Sequence, residues 1–327
     1  RIMHKPVRWG ILGAAAFAER IMGAAIHGAR GAELAALATR SPAKAAAFSA
    51  YAPGLRVHEG YEALLADPEI DAVYIPLPNT MHAEWSERAL DAGKAVLCEK
   101  PVGMSVAEID RLIAARDRAG RLAAEAYMIV HHPQWQRARD LIADGAIGEV
   151  AAVECAFAID QRDPANIRNQ KALGGGGLRD LGVYPIGAAR FALGAEPNLI
   201  AATARWESGV DTHLEAIASI GSARFSFRVS TRMAPWQEMT FHGTAGLIRL
   251  SAPFNPLNFA PAELSLIRSP RERIVERFPD AYQYVTQVEA FGTSMREGSP
   301  YPVPLEWSRG TQVLIDAIFE RVGAAGG

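Results

Sequence analysis

The 327-residue chain is 49% hydrophobic and 21% charged, with a formal net charge of −2, and its length favours two domains, each with its own core. The near-neutral charge comes without a concentrated Lys/Arg cluster, which argues against nucleic acid as a partner. No apolar run approaches the ~18 residues of a membrane span, and Arg1 to Arg8 is too polar for a signal peptide. Cys98 and Cys155 lie in apolar, strand-like runs without metal-type spacing. They read as buried thiols of a reducing cytoplasm, with no metal site expected.

Val7 to Leu12 reads as a first strand, followed by small residues and a helix over Phe17 to Ile26. A second strand covers Glu33 to Thr39, and Pro42 to Ala50 forms a helix with proline at its start. Ala72 to Pro76 is a third strand, Thr80 to Ala92 a helix, and Ala95 to Cys98 a fourth strand. The next helix is announced by a capping box, Ser105 with Glu108, and by the apolar face Ile109, Leu112 and Ile113. Arg121 to Met128 reads as a last strand. Such alternation implies an α/β fold with a doubly wound parallel sheet.

Beyond a boundary placed near residue 126 the pattern changes. Glu149 to Ile159, Ile200 to Glu207, Thr212 to Ser219, Ala223 to Thr231 and Leu247 to Leu250 are longer or alternating runs separated by turn signals. A mostly antiparallel or mixed sheet is expected there, with one face solvated or covered by protein. Helices are expected over His132 to Ala143, Val183 to Leu193, Tyr282 to Met295 and Trp307 to Val322. The domains are thus residues 1–125 and 126–327.

Gly13-Ala14-Ala15-Ala16-Phe17-Ala18 follows the first strand. It is a variant of the glycine-rich dinucleotide fingerprint, in which small residues let the backbone approach a pyrophosphate at a helix N-terminus. Gly13, Ala15, Ala16 and Phe17 are therefore candidate cofactor contacts. The second strand ends in Thr39-Arg40-Ser41, with no acid for a ribose 2′-hydroxyl. An arginine there suits a 2′-phosphate, so NADP(H) is expected, with NAD(H) the alternative.

Three further segments carry chemistry. Pro76, Asn79 and His82 follow the third strand and are candidate cofactor contacts; Asn79 or Thr80 also suits a helix cap, and His82 is either a structural histidine or a substrate or cofactor contact. Glu99-Lys100-Pro101 directly follows the fourth strand, where open α/β sheets bind ligands. Lys100 there can polarise or protonate an oxygen. In the second half, Gly174 to Gly177 leads into Asp180 and Tyr184, which share a helical face at i and i+4.

Gly13 to Ala18, Asn79 to His82, Glu99 to Pro101 and Gly174 to Tyr184 together resemble the glucose-fructose oxidoreductase/inositol dehydrogenase (Gfo/Idh/MocA) family. Glu125 to Met128 and His131 to Trp135 are similar to the branch containing D-xylose dehydrogenases and dimeric dihydrodiol dehydrogenase. The resemblance implies an N-terminal Rossmann domain and a C-terminal α/β domain with an open, largely antiparallel sheet. That sheet's outer face would mediate a homodimer or homotetramer.

It also implies roles: Lys100, Tyr184 and Asp180 catalytic, Tyr127 with them around the substrate, and Glu99 and Lys100 near the cofactor. The expected reaction moves hydride between a nicotinamide and a carbinol carbon of an aldose, polyol or diol. Tyrosine's ordinary pKa of about 10 makes it a poor base, and a lysine cation would favour its phenolate. Asp180 would orient the substrate or balance the lysine's charge. Pro101 would hold the turn, through a cis bond, and Glu99 would anchor it. A keto-sugar or anhydro-sugar reductase is the alternative within the class, and a non-catalytic dinucleotide-binding sensor the alternative outside it.

Overall fold

In a computed structural model of the chain, residues 5–323 are described. They divide into two compact units: residues up to Met128 together with Tyr282–Arg309, and Ile129–Ala281 together with the residues from Gly310 onward.

The first unit is built on six strands: β1 (Val7–Leu12), β2 (Ala32–Ala38), β3 (Arg56–His58), β4 (Ala72–Ile75), β5 (Ala95–Cys98) and β6 (Ala123–Glu125). All pair in parallel, in the order β3-β2-β1-β4-β5-β6. Every residue of β4 and β5 is buried, because helices cover both faces of such a sheet and strands need no polar side. The helix Val106–Ala119 starts where its cap says: Ser105 Oγ accepts from the Glu108 amide at 3.3 Å. The Glu108 carboxylate accepts from the Met104 amide at 2.7 Å, one residue before the partner a standard capping box would use. Left-handed Gly120, φ +59°, ends the helix.

Three differences from the sequence-based expectation concern this unit. The short strand β3 and the helix Tyr61–Leu65 lie in a segment too brief for periodicity to show. The expected strand Arg121 to Met128 is paired only over Ala123–Glu125, and a 3-10 turn occupies Met128–His131. The helix Gln283–Glu297, expected with the second half, belongs to the first unit: the Phe291 ring lies 5.2 Å from that of Trp9, and Tyr284 lies 5.7 Å from Phe17.

The second unit holds eight strands: β7 (Val150–Asp160), β8 (Pro197–Glu207), β9 (Val210–Ile220), β10 (Ala223–Ser230), β11 (Arg232–Gly243), β12 (Leu247–Leu250), β13 (Glu263–Ser269) and β14 (Glu272–Arg277). Their order is β14-β13-β12-β11-β7-β10-β9-β8, with β7 and β10 parallel and every other pair antiparallel. The fold is α/β, a parallel Rossmann sheet plus a largely antiparallel one. β11, β13 and β14 were not legible as strands. β14 carries Glu272, Arg273, Glu276 and Arg277, the charged composition that keeps an edge strand from recruiting another chain.

The helix Pro133–Ala143 is capped by His132, whose Nδ1 accepts from the Gln134 amide at 3.1 Å. The helix Val183–Leu193 is preceded by a wider π-helical turn, Leu178–Gly182. The glycines before that turn are dictated by close approach. A Cβ on Gly175 would lie 2.5 Å from the Arg168 carbonyl oxygen, and one on Gly176, at φ +116°, would collide with the Asp211 carboxylate.

Candidate active site

The first unit gathers its candidates at the carboxyl edge of the parallel sheet. Gly13, Thr39, Pro76 and Glu99 are the residues immediately after β1, β2, β4 and β5. The strand order reverses direction between β1 and β4, the place where open α/β sheets bind ligands. Gly13 has φ +96°, and a Cβ there would come within 3.1 Å of Leu77, so the tight turn after β1 requires glycine. Ala16 and Phe17 begin the following helix, and the Ala15 carbonyl accepts from the Glu19 amide at 3.0 Å.

A cleft of about 690 Å³ is lined by Gly13, Thr39, Arg40, Ser41 and also Lys44, with Glu59 and Glu62 on the same lining. Thr39 Oγ1 accepts from the Ser41 amide at 3.2 Å, and Ser41 Oγ accepts from the Lys44 amide at 3.3 Å, capping the helix Pro42–Ser49. Both hydroxyls act here as acceptors and retain an O–H to donate. Lys44 was missed in sequence, although its position three residues after the cap puts it in the helix's first turn.

The turn after β5 is tied at several points. The buried Tyr74 hydroxyl donates to Glu99 Oε1 at 2.6 Å, and the Lys100 amide donates to Glu99 Oε2 at 3.3 Å. Burial and the neighbouring Glu99 push the Tyr74 pKa well above 10. The Lys100–Pro101 peptide bond is cis. His82 is 1% exposed, with Nδ1 2.7 Å from the Pro101 carbonyl oxygen and Nε2 2.7 Å from that of Leu77. Of the two roles open to it, this is the structural one: both ring nitrogens face backbone. Glu125 Oε2 accepts from the Val102 amide at 2.9 Å, and burial pushes that carboxyl above its ordinary range. Tyr74 was not singled out in sequence, since it reads as part of a buried strand, and Glu125 entered only as part of a family motif. Tyr127, expected at the substrate, is fully buried with its ring 5.1 Å from that of Trp307.

In the second unit, Asp180 is paired with Arg168, whose guanidinium it holds above its ordinary pKa. The sequence reading did not single out Arg168, which comes from a short 3-10 turn, Ile167–Asn169. Tyr184 is 6% exposed, its ring 5.6 Å from Phe157 and 5.3 Å from Phe254. Asp211 supports this element from beneath: its Oδ2 accepts from the Leu178 amide at 2.6 Å. Burial raises its pKa to about 6. Among the described residues, no three His, Cys, Asp or Glu side chains are grouped to hold a metal ion, and no helix is long and apolar enough to cross a membrane. Cys98 and Cys155 are free and buried.

The chain can be compared with known proteins on this footing. Residues 7–127 match the profile of the oxidoreductase family with the NAD-binding Rossmann fold, and residues 135–249 that of the GFO/IDH/MocA C-terminal domain. An uncharacterized oxidoreductase of Rhizobium meliloti is 42% identical over 95% of this chain and 96% of its own. A D-xylose 1-dehydrogenase (NADP(+)) of Haloferax volcanii is 35% identical over 97% of this chain and 98% of its own. Among solved structures, a 3-ketoreductase from Actinomadura kijaniata in complex with NADP and TDP-benzene superposes with a TM-score of 0.91 at 31% identity, over 97% of this chain and 98% of that one. Lysine-to-alanine and tyrosine-to-phenylalanine variants of that reductase match as well. With both halves of the chain matched in order, the protein belongs to the GFO/IDH/MocA family of oxidoreductases.

Proposed function

We propose that the protein is an NADP(H)-dependent oxidoreductase acting on a carbinol or carbonyl carbon of a sugar, typically an aldose, or of a related polyol or diol. The observation that carries this reading is the cleft that gathers Gly13, Thr39, Arg40, Ser41 and Lys44 at the carboxyl edge of the parallel sheet. A left-handed glycine leaves room for a pyrophosphate. Two cations and two hydroxyls suit the 2′-phosphate of NADP, Arg40 as a fork and Lys44 as a point charge. These residues fit the group.

Bound there, the nicotinamide supplies a hydride acceptor or donor. The chain's own residues manage the proton and the charge. Lys100 stabilises negative charge on the reacting oxygen through an ammonium with three donors. Tyr184 takes the substrate proton in oxidation and returns it in reduction. Asp180, balanced by Arg168, orients substrate hydroxyls. The lysine and tyrosine replaced in the Actinomadura reductase variants are as far apart in sequence as Lys100 and Tyr184, which supports assigning the pair. In this reading residues 1–125, together with Tyr282–Arg309, serve the cofactor, and the rest of residues 126–327 serves the substrate and self-association, in the cytoplasm.

A second reading, reduction of a keto-sugar, is favoured by the likeness to the 3-ketoreductase. A silent sensor is disfavoured because it would have no use for Lys100, Asp180 and Tyr184 together. The test is a panel of aldoses, polyols and keto-sugars, followed by nicotinamide absorbance in both directions with the wild type, Lys100→Ala and Tyr184→Phe. Turnover by the wild type and its loss in both variants is expected. Tight NADPH binding with silence across the panel contradicts the proposal.

A further inference from the structure

We infer that His82 is the positioning residue for Lys100, a buried strut that sets where the ammonium stands by spanning from the loop after β4 to the turn after β5. This deepens the proposed function and rests on its assignment of Lys100. The two strands are neighbours in the sheet, β4 pairing with β5 from Ala72 opposite Ala95 to Ile75 opposite Cys98. Beyond Cys98 one backbone bond remains, from the Glu99 amide to the Ile75 carbonyl at 3.0 Å, and Pro76, Pro78 and Pro101 supply no amide to continue the ladder. Further out along the two segments, side chains do the holding.

His82 is placed to do so. It opens the helix His82–Asp91, its ring is 1% exposed, and its two nitrogens stand 2.7 Å from the carbonyl oxygens of Leu77 and Pro101. Pro101 directly follows Lys100, so a shift of the Pro101 carbonyl carries Lys100 with it. Carbonyl oxygens only accept, so the neutral ring, the form that burial favours, donates to one of them and is packed against the other, filling the space between the two segments as a strut. Burial holds the His82 pKa below the ordinary 6.5, with the two carbonyls opposing it. Tyr74 on Glu99 and Glu125 on the Val102 amide fix the residues on either side. His82 is the member of the set that reaches across from the loop after β4.

Removal of such a strut misplaces a proton-handling group, an error of the kind that costs about 10²-fold in rate at ~1 Å. The experiment compares wild type, His82→Ala, His82→Gln and Lys100→Ala for kcat on the best substrate of the sugar panel, NADPH affinity by fluorescence, and melting temperature. Independently of turnover, the lysines are 13C-dimethylated and their resonances recorded. The chain has only five, Lys5, Lys44, Lys94, Lys100 and Lys171, and Lys100→Ala identifies the signal. His82→Ala is expected to lower kcat at least tenfold, leave the NADPH Kd within twofold, and shift the Lys100 resonance alone. His82→Gln, whose amide nitrogen carries two N–H groups, is expected to recover part of kcat. Should His82→Ala fail to fold, His82→Asn, one carbon shorter than the glutamine, takes its place. The inference is overturned if kcat and the Lys100 resonance are unchanged, or if kcat and NADPH affinity fall together in step with the melting temperature. If Lys100→Ala itself keeps full turnover, the functional assignment of Lys100 fails instead.

Discussion

Arg40 occupies the position where dinucleotide-binding folds distinguish NAD from NADP, and it lines the same cleft as Thr39, Ser41 and Lys44. A charge-assisted hydrogen bond contributes about 1.5–3 kcal/mol, so Arg40→Ala is expected to weaken NADPH binding by about 10- to 100-fold while NADH binding stays unchanged. Fluorescence titration of both cofactors checks this, and a wild-type preference for NADH would remove Arg40 from the 2′-phosphate. At Tyr184 the expectation is the reverse. General acid–base groups contribute about 10²–10⁴-fold, so Tyr184→Phe should lose that much kcat and bind NADPH as before. Unchanged kcat would take Tyr184 out of the mechanism.

At the scale of elements, the turns explain why some residues were legible and others not. Gly13, Lys100 and the run Gly174–Gly177 are conspicuous in sequence because each follows or precedes a strong periodic segment. The residues that support them are not. Tyr74 reads as a strand residue, while Arg168 and Asp211 carry no signal in sequence, because the partners of all three are far off along the chain: Glu99, Asp180 and the Leu178 amide. For the same reason the amphipathic helix Gln283–Glu297 gives no sign of which sheet it covers. The glycine run bends the chain at Gly174 and Gly176 and makes room for the Arg168 backbone and the Asp211 carboxylate. Gly176→Ala would force an alanine to φ +116° against Asp211, a strain of about 1–3 kcal/mol. A lower melting temperature is expected together with lower kcat, because the element displaced carries Asp180 and Tyr184. A melt equal to wild type would show that the glycine is not required.

For the whole molecule, acid should be the damaging direction of pH. His131 and His132 are buried and their pKa values are lowered from the ordinary 6.5 to about 4. Between these values the unfolded chain binds more protons, so stability is full above pH 6.5 and falls as pH drops toward 4, by about 3 kcal/mol per histidine. Asp211, raised from 3.8 to about 6, acts oppositely, with stability lost as pH rises through that window by about 3 kcal/mol. Two histidines outweigh one aspartate. Urea melts at pH 7 and pH 4.5 should show a net loss on acidification, smaller in His132→Gln if that variant folds. Equal midpoints would contradict the sign.

On the second sheet, a cleft of about 510 Å³ crosses β7–β11, and Ile217 within it is 42% exposed. If this face mediates self-association, Ile217→Arg should shift the mass measured by light scattering toward a monomer. An unchanged mass would move the interface elsewhere.

The central claim is that hydride passes between a nicotinamide and a sugar carbon. Its most direct test supplies NADPH carrying two deuteriums at C4 with the keto-sugars of the panel and with the lactones of its aldoses, and reads the products by mass spectrometry. The account predicts one deuterium fixed to carbon in the reduced product, with label lost from the cofactor in equal amount. Product without deuterium, or labelled NADPH recovered intact from every member of the panel, would contradict it.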